Sequence, residues 1–182
     1  EMQRSLVGSE MCIRDRIFYN NSGACRVEAV GPLEGARGAD RERSYYKLSL
    51  LHGGGTIFAP VNSQVFMRPI LSAEAANALI DTLPSIVASG WNERGVRSLS
   101  DHYHEAFQSH RSEDLLQLMK DIYVKSQESL RRGKRLGMID QTYKKKAEEL
   151  VYSEFSAALG IPFEEVEDYI ARRLESREKK KA

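Results

Sequence analysis

The 182-residue sequence predicts an α+β fold, in which a small β module ending near residue 71 is followed by an all-helical module. Before residue 72, apolar and polar residues alternate, as Tyr46, Leu48 and Leu50 do with Lys47 and Ser49. That two-residue period is typical of a strand with one buried face. After residue 72, apolar residues recur every three or four positions, which is the period of a helix.

Five short strands are predicted in the β module, at 17–19, 24–30, 44–51, 56–59 and 65–67. Three consecutive glycines, 53–55, separate the third strand from the fourth and indicate a hairpin. Pro60 and Pro69 cannot donate a backbone hydrogen bond, so the last two strands are expected to lie at sheet edges or to end where the prolines stand. Short strands joined by tight turns predict a small SH3-like or Tudor-like barrel.

Helix signals follow in order from Ser72, a good N-cap, to Pro84, which ends the first helix. Residues 84–98 lack a clean period and are interpreted as a connector. Further helices are predicted at 99–109, from Ser112 as cap, from Asp140 as cap, and from Pro162 onward, with Gly160 ending the fourth. The predicted organisation is therefore a β module at 17–71 and a helical module at 72–182.

The first sixteen residues, 1–16, show neither period. Within them, SLVGSEMCIRDR resembles the translation of a sequencing adapter fused to a reading frame. We interpret the segment as an assembly artefact, with a disordered native tail as the alternative. On either interpretation Cys12 is given no functional role.

Charge is distributed unevenly, although the whole chain carries a net charge of only +1. Between residues 120 and 146 there are nine Lys or Arg and three Asp or Glu, whereas between 148 and 175 there are two and eight. The helical module is therefore polarised along the sequence. Clustered cations can neutralise phosphates and release counterions, which gives DNA affinity independent of sequence; a solvated helix face is the alternative.

Nothing in the sequence supports catalysis, a metal or a cofactor. The two cysteines have no zinc spacing, and His102, His104 and His110 do not form an i, i+4 pair. The glycine run at 53–55 is not followed by a helix, so it is not a phosphate-binding loop. We expect a non-enzymatic protein of a reducing cytoplasm, without a small-molecule ligand, and no apolar run reaches the roughly 20 residues of a membrane span.

Trp91, the only tryptophan, lies in the predicted connector near Arg94 and Arg97. The simpler interpretation is a plug that packs the connector against the helices. The alternative is an aromatic wedge at distorted DNA, of the kind that minor-groove binders insert between base steps.

Five segments are distinctive: GACRVEAVGPL, YYKL, GGGTIFAPV, VFMRPILSAEAANALID and the helical stretch that includes AEELVYSEFSAALGIP. Together they resemble the CarD family (CdnL-like) of bacterial transcription regulators, most closely the members from Firmicutes. The resemblance implies a Tudor-like domain that binds the RNA polymerase β subunit. It also implies a helical domain that contacts promoter DNA at the upstream edge of the transcription bubble and stabilises the open complex.

Two positions depart from the pattern of the family. Phe58 and Leu33 stand where actinobacterial members carry arginines that contact polymerase. Contacts to the β subunit would then rest on backbone pairing and apolar packing. Matching the tyrosine that follows the family's wedge tryptophan to Tyr103 places Leu99, not Trp91, at the wedge position.

We therefore expect a monomeric transcription regulator with two surfaces. The predicted polymerase-binding residues are Leu33, Thr56, Ile57, Phe58 and Ala59. The predicted DNA-binding residues are Trp91, Arg94, Arg97, Leu99, Lys125, Arg131, Arg132, Lys134, Arg135, Lys144, Lys145 and Lys146. The alternative is a protein-interaction adaptor that acts through the barrel edge and does not bind DNA.

Overall fold

A computed structural model describes residues 11–33, 42–90 and 96–181 and has a mixed α+β architecture. An antiparallel sheet of five strands is followed along the chain by five helices. The strands are β1 (Arg16–Tyr19), β2 (Gly23–Pro32), β3 (Ser44–Leu50), β4 (Thr56–Pro60) and β5 (Met67–Pro69). The helices are α1 (Ala73–Thr82), α2 (Val96–Gln108), α3 (Ser112–Arg131), α4 (Met138–Leu159) and α5 (Val166–Lys181).

The sheet is open, with the strand order β4-β3-β2-β1-β5. Strands β1 to β4 form a meander, and β5 returns to pair with β1. The prediction that the two proline-bearing strands lie at sheet edges is confirmed, since β4 and β5 are the edges. A closed barrel is not confirmed, because the described strands β4 and β5 do not pair with each other.

Pro69 does not interrupt the pairing of β5 with β1. The bonds from Ile70 N to Arg16 O and from Asn20 N to Phe66 O define the hydrogen-bonded pairs of β1 and β5, so Pro69 falls at a position between them. Its missing N–H therefore costs the ladder nothing. For this reason β5 continues through Pro69, instead of ending at residue 67 as the sequence predicts.

Helix ends agree with the sequence at Ser72 and Gly160 and differ at others. The sequence predicts the last helix from Pro162, but a 3-10 turn at Phe163–Glu165 comes first and α5 begins at Val166. The Ser72 hydroxyl caps α1 by accepting from Ala75 N, and Gly160 ends α4 in a left-handed conformation. Ser112 is the first residue of α3 and not its cap, because its hydroxyl donates to a carboxylate of α4. Likewise α4 begins after Gly137, while the Asp140 carboxylate points to α2 and α3.

The sheet packs against α4, so the two predicted modules share an interface. Ala24 N donates to Ser153 Oγ at 3.3 Å, and an Arg16 guanidinium nitrogen donates to Ala157 O at 2.9 Å. Gly23 lies so close to α4 that an added Cβ would approach Ser153 Oγ to 2.7 Å. Phe18 of β1 belongs to the helical core and not to the separate apolar cluster inside the sheet.

Residues 11–15 precede β1 and hydrogen-bond to β2, although the sequence shows no structural period there. Met11 is buried in the apolar cluster with Ile17 and Val27. Arg14 N donates to Val27 O at 2.7 Å, and Val27 N donates to Asp15 O at 2.9 Å. A lone methionine and backbone pairing leave no periodic signal, which is why the sequence pattern does not indicate them.

The predicted connector contains the start of a helix, since α2 begins at Val96. Its described part packs along α3: Ser89 N and Oγ donate to the Asp121 carboxylate, and Gln117 Nε2 donates to Val87 O. The chain passes from sheet to helices at residues 70–72, before α1. None of the described helices is long and apolar enough to cross a bilayer.

Candidate protein-binding edge and cationic tip

The outer side of β4, called here the free edge, exposes unpaired backbone groups. Leu50 N donates to Gly55 O, and Val61 N donates to Ser44 O, so these residues form hydrogen-bonded pairs of β3 and β4. Hydrogen-bonded and non-hydrogen-bonded pairs alternate along an antiparallel ladder. The N–H and C=O groups of Thr56 and Phe58 therefore point away from β3. Within the described residues, no strand covers them.

Pro60 also lies at an outward position of β4, opposite Tyr45. Its missing N–H limits the free edge to the segment 56–59 without weakening the pairing with β3. Short edges and edge prolines are common protections against uncontrolled strand addition. The free edge is thus long enough to pair with one short extended segment of a partner.

Phe58 and Leu33, both predicted to contact polymerase, line one open groove beside the free edge. The groove has a volume of about 630 Å³, and its walls are 29–33, Tyr45, Lys47 and Phe58. The Phe58 side chain is 49% exposed. Ala59 is buried and Ile57 packs against the apolar cluster inside the sheet. Both occupy hydrogen-bonded pairs with β3, so of the predicted residues 56–59 only Thr56 and Phe58 present main-chain groups to the free edge.

The segment 131–135, where α3 ends and the loop to α4 begins, is called here the cationic tip and carries Arg131, Arg132, Lys134 and Arg135. All four are exposed, and none forms an ion pair within the described part of the chain. Gly133 adopts the left-handed conformation (φ 65°), and Lys134 N donates to Ser129 O at 2.8 Å, so the loop turns tightly. The positive charges are concentrated at one end of the helical hairpin.

The remaining predicted cations are partly neutralised. Lys144 and Lys145 lie 3.4 and 3.9 Å from Glu148 and Glu149, one turn further along α4. Lys146 lies over the Tyr143 ring at 5.7 Å. Exposed pairs of this kind are screened and contribute little, yet they reduce the field available to a phosphate. The cationic tip therefore carries more unneutralised charge than 144–146 does.

Lys125 has a structural partner near the base of the tip. Its Nζ donates to the buried Asp140 carboxylate at 2.8 Å, and the Tyr103 hydroxyl donates to the same oxygen at 2.6 Å. Burial, followed by the bond to Asp140, raises the pKa of Tyr103 well above its usual range. The bonds join α2, α3 and α4 beneath the tip, so the position of Lys125 is set by the core.

The predicted DNA-binding residues that precede α3 include both wedge candidates, Trp91 and Leu99. Trp91 and Arg94 lie outside the described residues, and Arg97 lies in the first turn of α2. Leu99 is buried in the helical core, where it cannot meet DNA without unpacking. Exposed apolar side chains occur instead at Leu130 and Met138, on either side of the cationic tip.

Two features were missed by the sequence interpretation. The first is a buried ion pair between Arg68 and Glu154, for which the only signal is an arginine inside the apolar run VFMRPIL. The second is the exposure of Leu130 and Met138, which apolar periodicity alone cannot distinguish from core positions.

Among the described residues, no group of three or more His, Cys, Asp or Glu side chains is placed to hold a metal ion. Cys25 is buried in the sheet, and burial raises the pKa of its thiol to about 12, which disfavours the reactive thiolate. A scan against protein-family models and a search of curated proteins both find no match to the chain.

Proposed function

We propose that this protein is a non-enzymatic transcription regulator of the bacterial cytoplasm, which binds the RNA polymerase β subunit and promoter DNA through separate surfaces. The main support for the proposal is that the protein combines an exposed edge strand with a cationic tip that has no acidic partner among the described residues. The sheet that contains the edge packs against the helices that carry the tip. On this proposal the open sheet is a Tudor-like module, in which β5 returns to β1 after a four-stranded meander.

The free edge supports the first contact. An extended segment of a partner can add to an exposed strand through main-chain hydrogen bonds, while side chains beside the strand give specificity. Thr56 and Phe58 offer the main-chain groups, and the groove lined by Phe58 and Leu33 offers an apolar contact. Neither contact needs the arginines that other members of the resembled family use.

The cationic tip supports the second contact. Four exposed cations within five residues can meet the phosphates of one DNA segment. Lysine and arginine contacts to phosphate position a protein on DNA without reading its sequence. We propose that the tip holds promoter DNA near polymerase and prolongs the open complex.

The second candidate function is a protein-interaction adaptor that uses the free edge alone. The exposed Phe58 favours it, since that residue would serve any extended partner equally well. Ionic strength separates the two candidates. DNA binding through several phosphates weakens steeply as salt rises, whereas an apolar edge contact does not.

Crosslinking within a polymerase–promoter open complex tests the proposal directly. A photoreactive amino acid at position 58 should crosslink to the β subunit, and one at position 134 should crosslink to promoter DNA. A photoreactive residue at the exposed Val87, remote from both surfaces in sequence, is the matched control. Crosslinks from 58 without any from 134 would favour the adaptor, and crosslinks from neither would reject both candidates.

A further inference from the structure

An open cleft of about 460 Å³ lies where the sheet meets the helices. Its described walls come from four separate parts of the chain: β2 with the turn before it, the turn between β3 and β4, helix α2 and helix α4. Small-ligand sites usually have volumes of about 300–1,000 Å³ and are common at junctions of this kind. Because the walls are far apart in the sequence, no local motif indicates the cleft.

The walls are held in place by contacts beside the cleft. Ala24 N donates to Ser153 Oγ at 3.3 Å, which fixes β2 against α4. The His52 ring stacks on the Phe163 ring, which ties the turn between β3 and β4 to the chain between α4 and α5. A cleft whose walls are already fixed needs little ordering when a ligand binds.

The buried residues of the cleft are mostly apolar and include an aromatic pair. Phe107 of α2 and Leu150 of α4 are buried, as is Ala24 of β2. Phe107 packs edge-on against the half-buried Tyr143 ring, with the ring centres 5.6 Å apart. Aromatic side chains stack on nucleobases of any kind, because every base has a π face. This part of the cleft suits a planar, partly apolar ring.

The exposed residues of the cleft are polar and include both signs of charge. Lys146 has no acidic partner among the described residues, and its Nζ lies 5.7 Å from the centre of the Tyr143 ring. His104, from α2, lines the same cleft. Glu149 adds a carboxylate whose nearest cation is Lys145, at 3.9 Å. A bare anion would be repelled by that carboxylate, whereas a ligand that also carries hydroxyl groups can donate to it.

We propose that this cleft binds a mononucleotide. The base lies against Phe107 and Tyr143, the Glu149 carboxylate accepts from the ribose hydroxyls, and Lys146 pairs with the phosphate. Carboxylates accept from ribose hydroxyls in many nucleotide sites, and lysine is a common phosphate ligand. The cleft shares no residue with the free edge or the cationic tip, so the proposal does not depend on the polymerase and DNA contacts.

Isothermal titration calorimetry of the full chain with each of the four ribonucleoside monophosphates tests the site. At least one should bind, and its nucleoside and inorganic phosphate should each bind about tenfold more weakly, because each lacks part of the contacts. Lys146→Gln should weaken nucleotide binding about tenfold and leave nucleoside binding unchanged. Glu149→Ala should weaken both. Since Lys146 and Glu149 are exposed, both variants should fold normally.

Lys144→Gln is the matched control, because Lys144 lies on the same helix, does not line the cleft and has Glu148 as its neighbour. It should bind the nucleotide as the wild type does. If none of the four nucleotides binds, the proposal is wrong. If inorganic phosphate binds as tightly as the nucleotide, the cleft is a simple anion site and the nucleotide assignment is overturned. Nucleotide binding that Lys146→Gln and Glu149→Ala leave unchanged would place the ligand elsewhere and reject this cleft.

Discussion

Arg68 of β5 and Glu154 of α4 form a bidentate ion pair in which both side chains are almost completely buried, at 1% and 0% exposure. Ser112 of α3 donates to the same carboxylate at 2.6 Å, and Leu71 N donates to it at 3.0 Å. The guanidinium also lies 4.3 Å from the centre of the Phe18 ring. One carboxylate thus joins the sheet edge, the sheet-to-helix junction and two helices.

Removing one partner of this ion pair should destabilise the whole protein. Glu154→Gln leaves a buried guanidinium without its counter-charge, and such losses cost about 3–5 kcal/mol. Arg68→Met with Glu154→Leu should cost less than either single change, because no charge remains buried. Chemical denaturation monitored by circular dichroism measures all three variants. A Glu154→Gln variant as stable as the wild type would show that the pair does not hold the sheet to α4.

The free edge can be tested separately from the Phe58 side chain. Thr56→Pro removes one outward N–H but no bond to β3, whereas Phe58→Asp removes the apolar contact and keeps the edge. Each should weaken binding to polymerase, with Phe58→Asp costing about 2 kcal/mol or more if it is a hot spot. Val87→Asp is the matched control. Polymerase pulldown measures binding, and circular dichroism checks that each variant is folded. If both variants bind as well as the wild type, this docking surface is rejected.

The cationic tip should account for most of the salt dependence of DNA binding. Replacing Arg131, Arg132, Lys134 and Arg135 with Gln should lower the salt slope by about one unit for each phosphate that is no longer bound. Replacing Lys144 and Lys145 should change it less, because Glu148 and Glu149 lie beside them. The tip variant should also shorten the open-complex lifetime at a weak promoter while still binding polymerase. Equal effects of the two sets would contradict the assignment to the tip.

Met11 should contribute to stability. Its side chain is buried with Ile17 and Val27, so Met11→Ser should lower the free energy of unfolding by about 2 kcal/mol. Ile13→Ser is the control, since Ile13 is exposed and its loss should stay within about 0.5 kcal/mol. Urea denaturation compares them. If both variants match the wild type, the packing of residues 11–15 against β2 does not contribute to stability.

His110 should make stability depend on pH. Burial, followed by the charge of Arg68, lowers the pKa of His110 below its ordinary value of 6.5. The folded protein then resists protonation while the unfolded chain accepts a proton, so stability is full above pH 6.5 and falls as pH drops below it. His110→Asn should remove this slope, and asparagine tolerates the φ of 53° at this position. Thermal melting between pH 5 and pH 7 measures it; an unchanged slope in the variant would exclude His110 as the source.

Local patterns in the sequence were sufficient for the order of elements. The alternation at Tyr46 and Leu48, the cap at Ser72 and the left-handed glycine at 160 all report interactions between near neighbours in the chain. The edge positions of β4 and β5 followed from Pro60 and Pro69, since a missing N–H excludes a central strand. These predictions are confirmed.

Relationships between distant residues could not be read in the same way. Ser112 and Asp140 are residue types that commonly cap helices, but the side chain of each hydrogen-bonds to a residue of another helix. Leu99 and Leu130 are both leucines at helical spacing, yet one is buried and the other exposed, because burial depends on where the neighbouring helix ends. The open sheet likewise depends on how five strands curve together, which no single strand specifies.

Helix α4 runs from the cationic tip at its first residue to the ion pair with β5 at Glu154. Sixteen residues at about 1.5 Å each place these two points about 24 Å apart along the helix axis. That length corresponds to about seven base pairs of B-form DNA, at about 3.4 Å per step. Because the sheet is fixed to α4 by buried groups, α4 acts as a rigid spacer. On the proposed function, the number of its turns would set how far from the docked sheet the tip reaches along DNA.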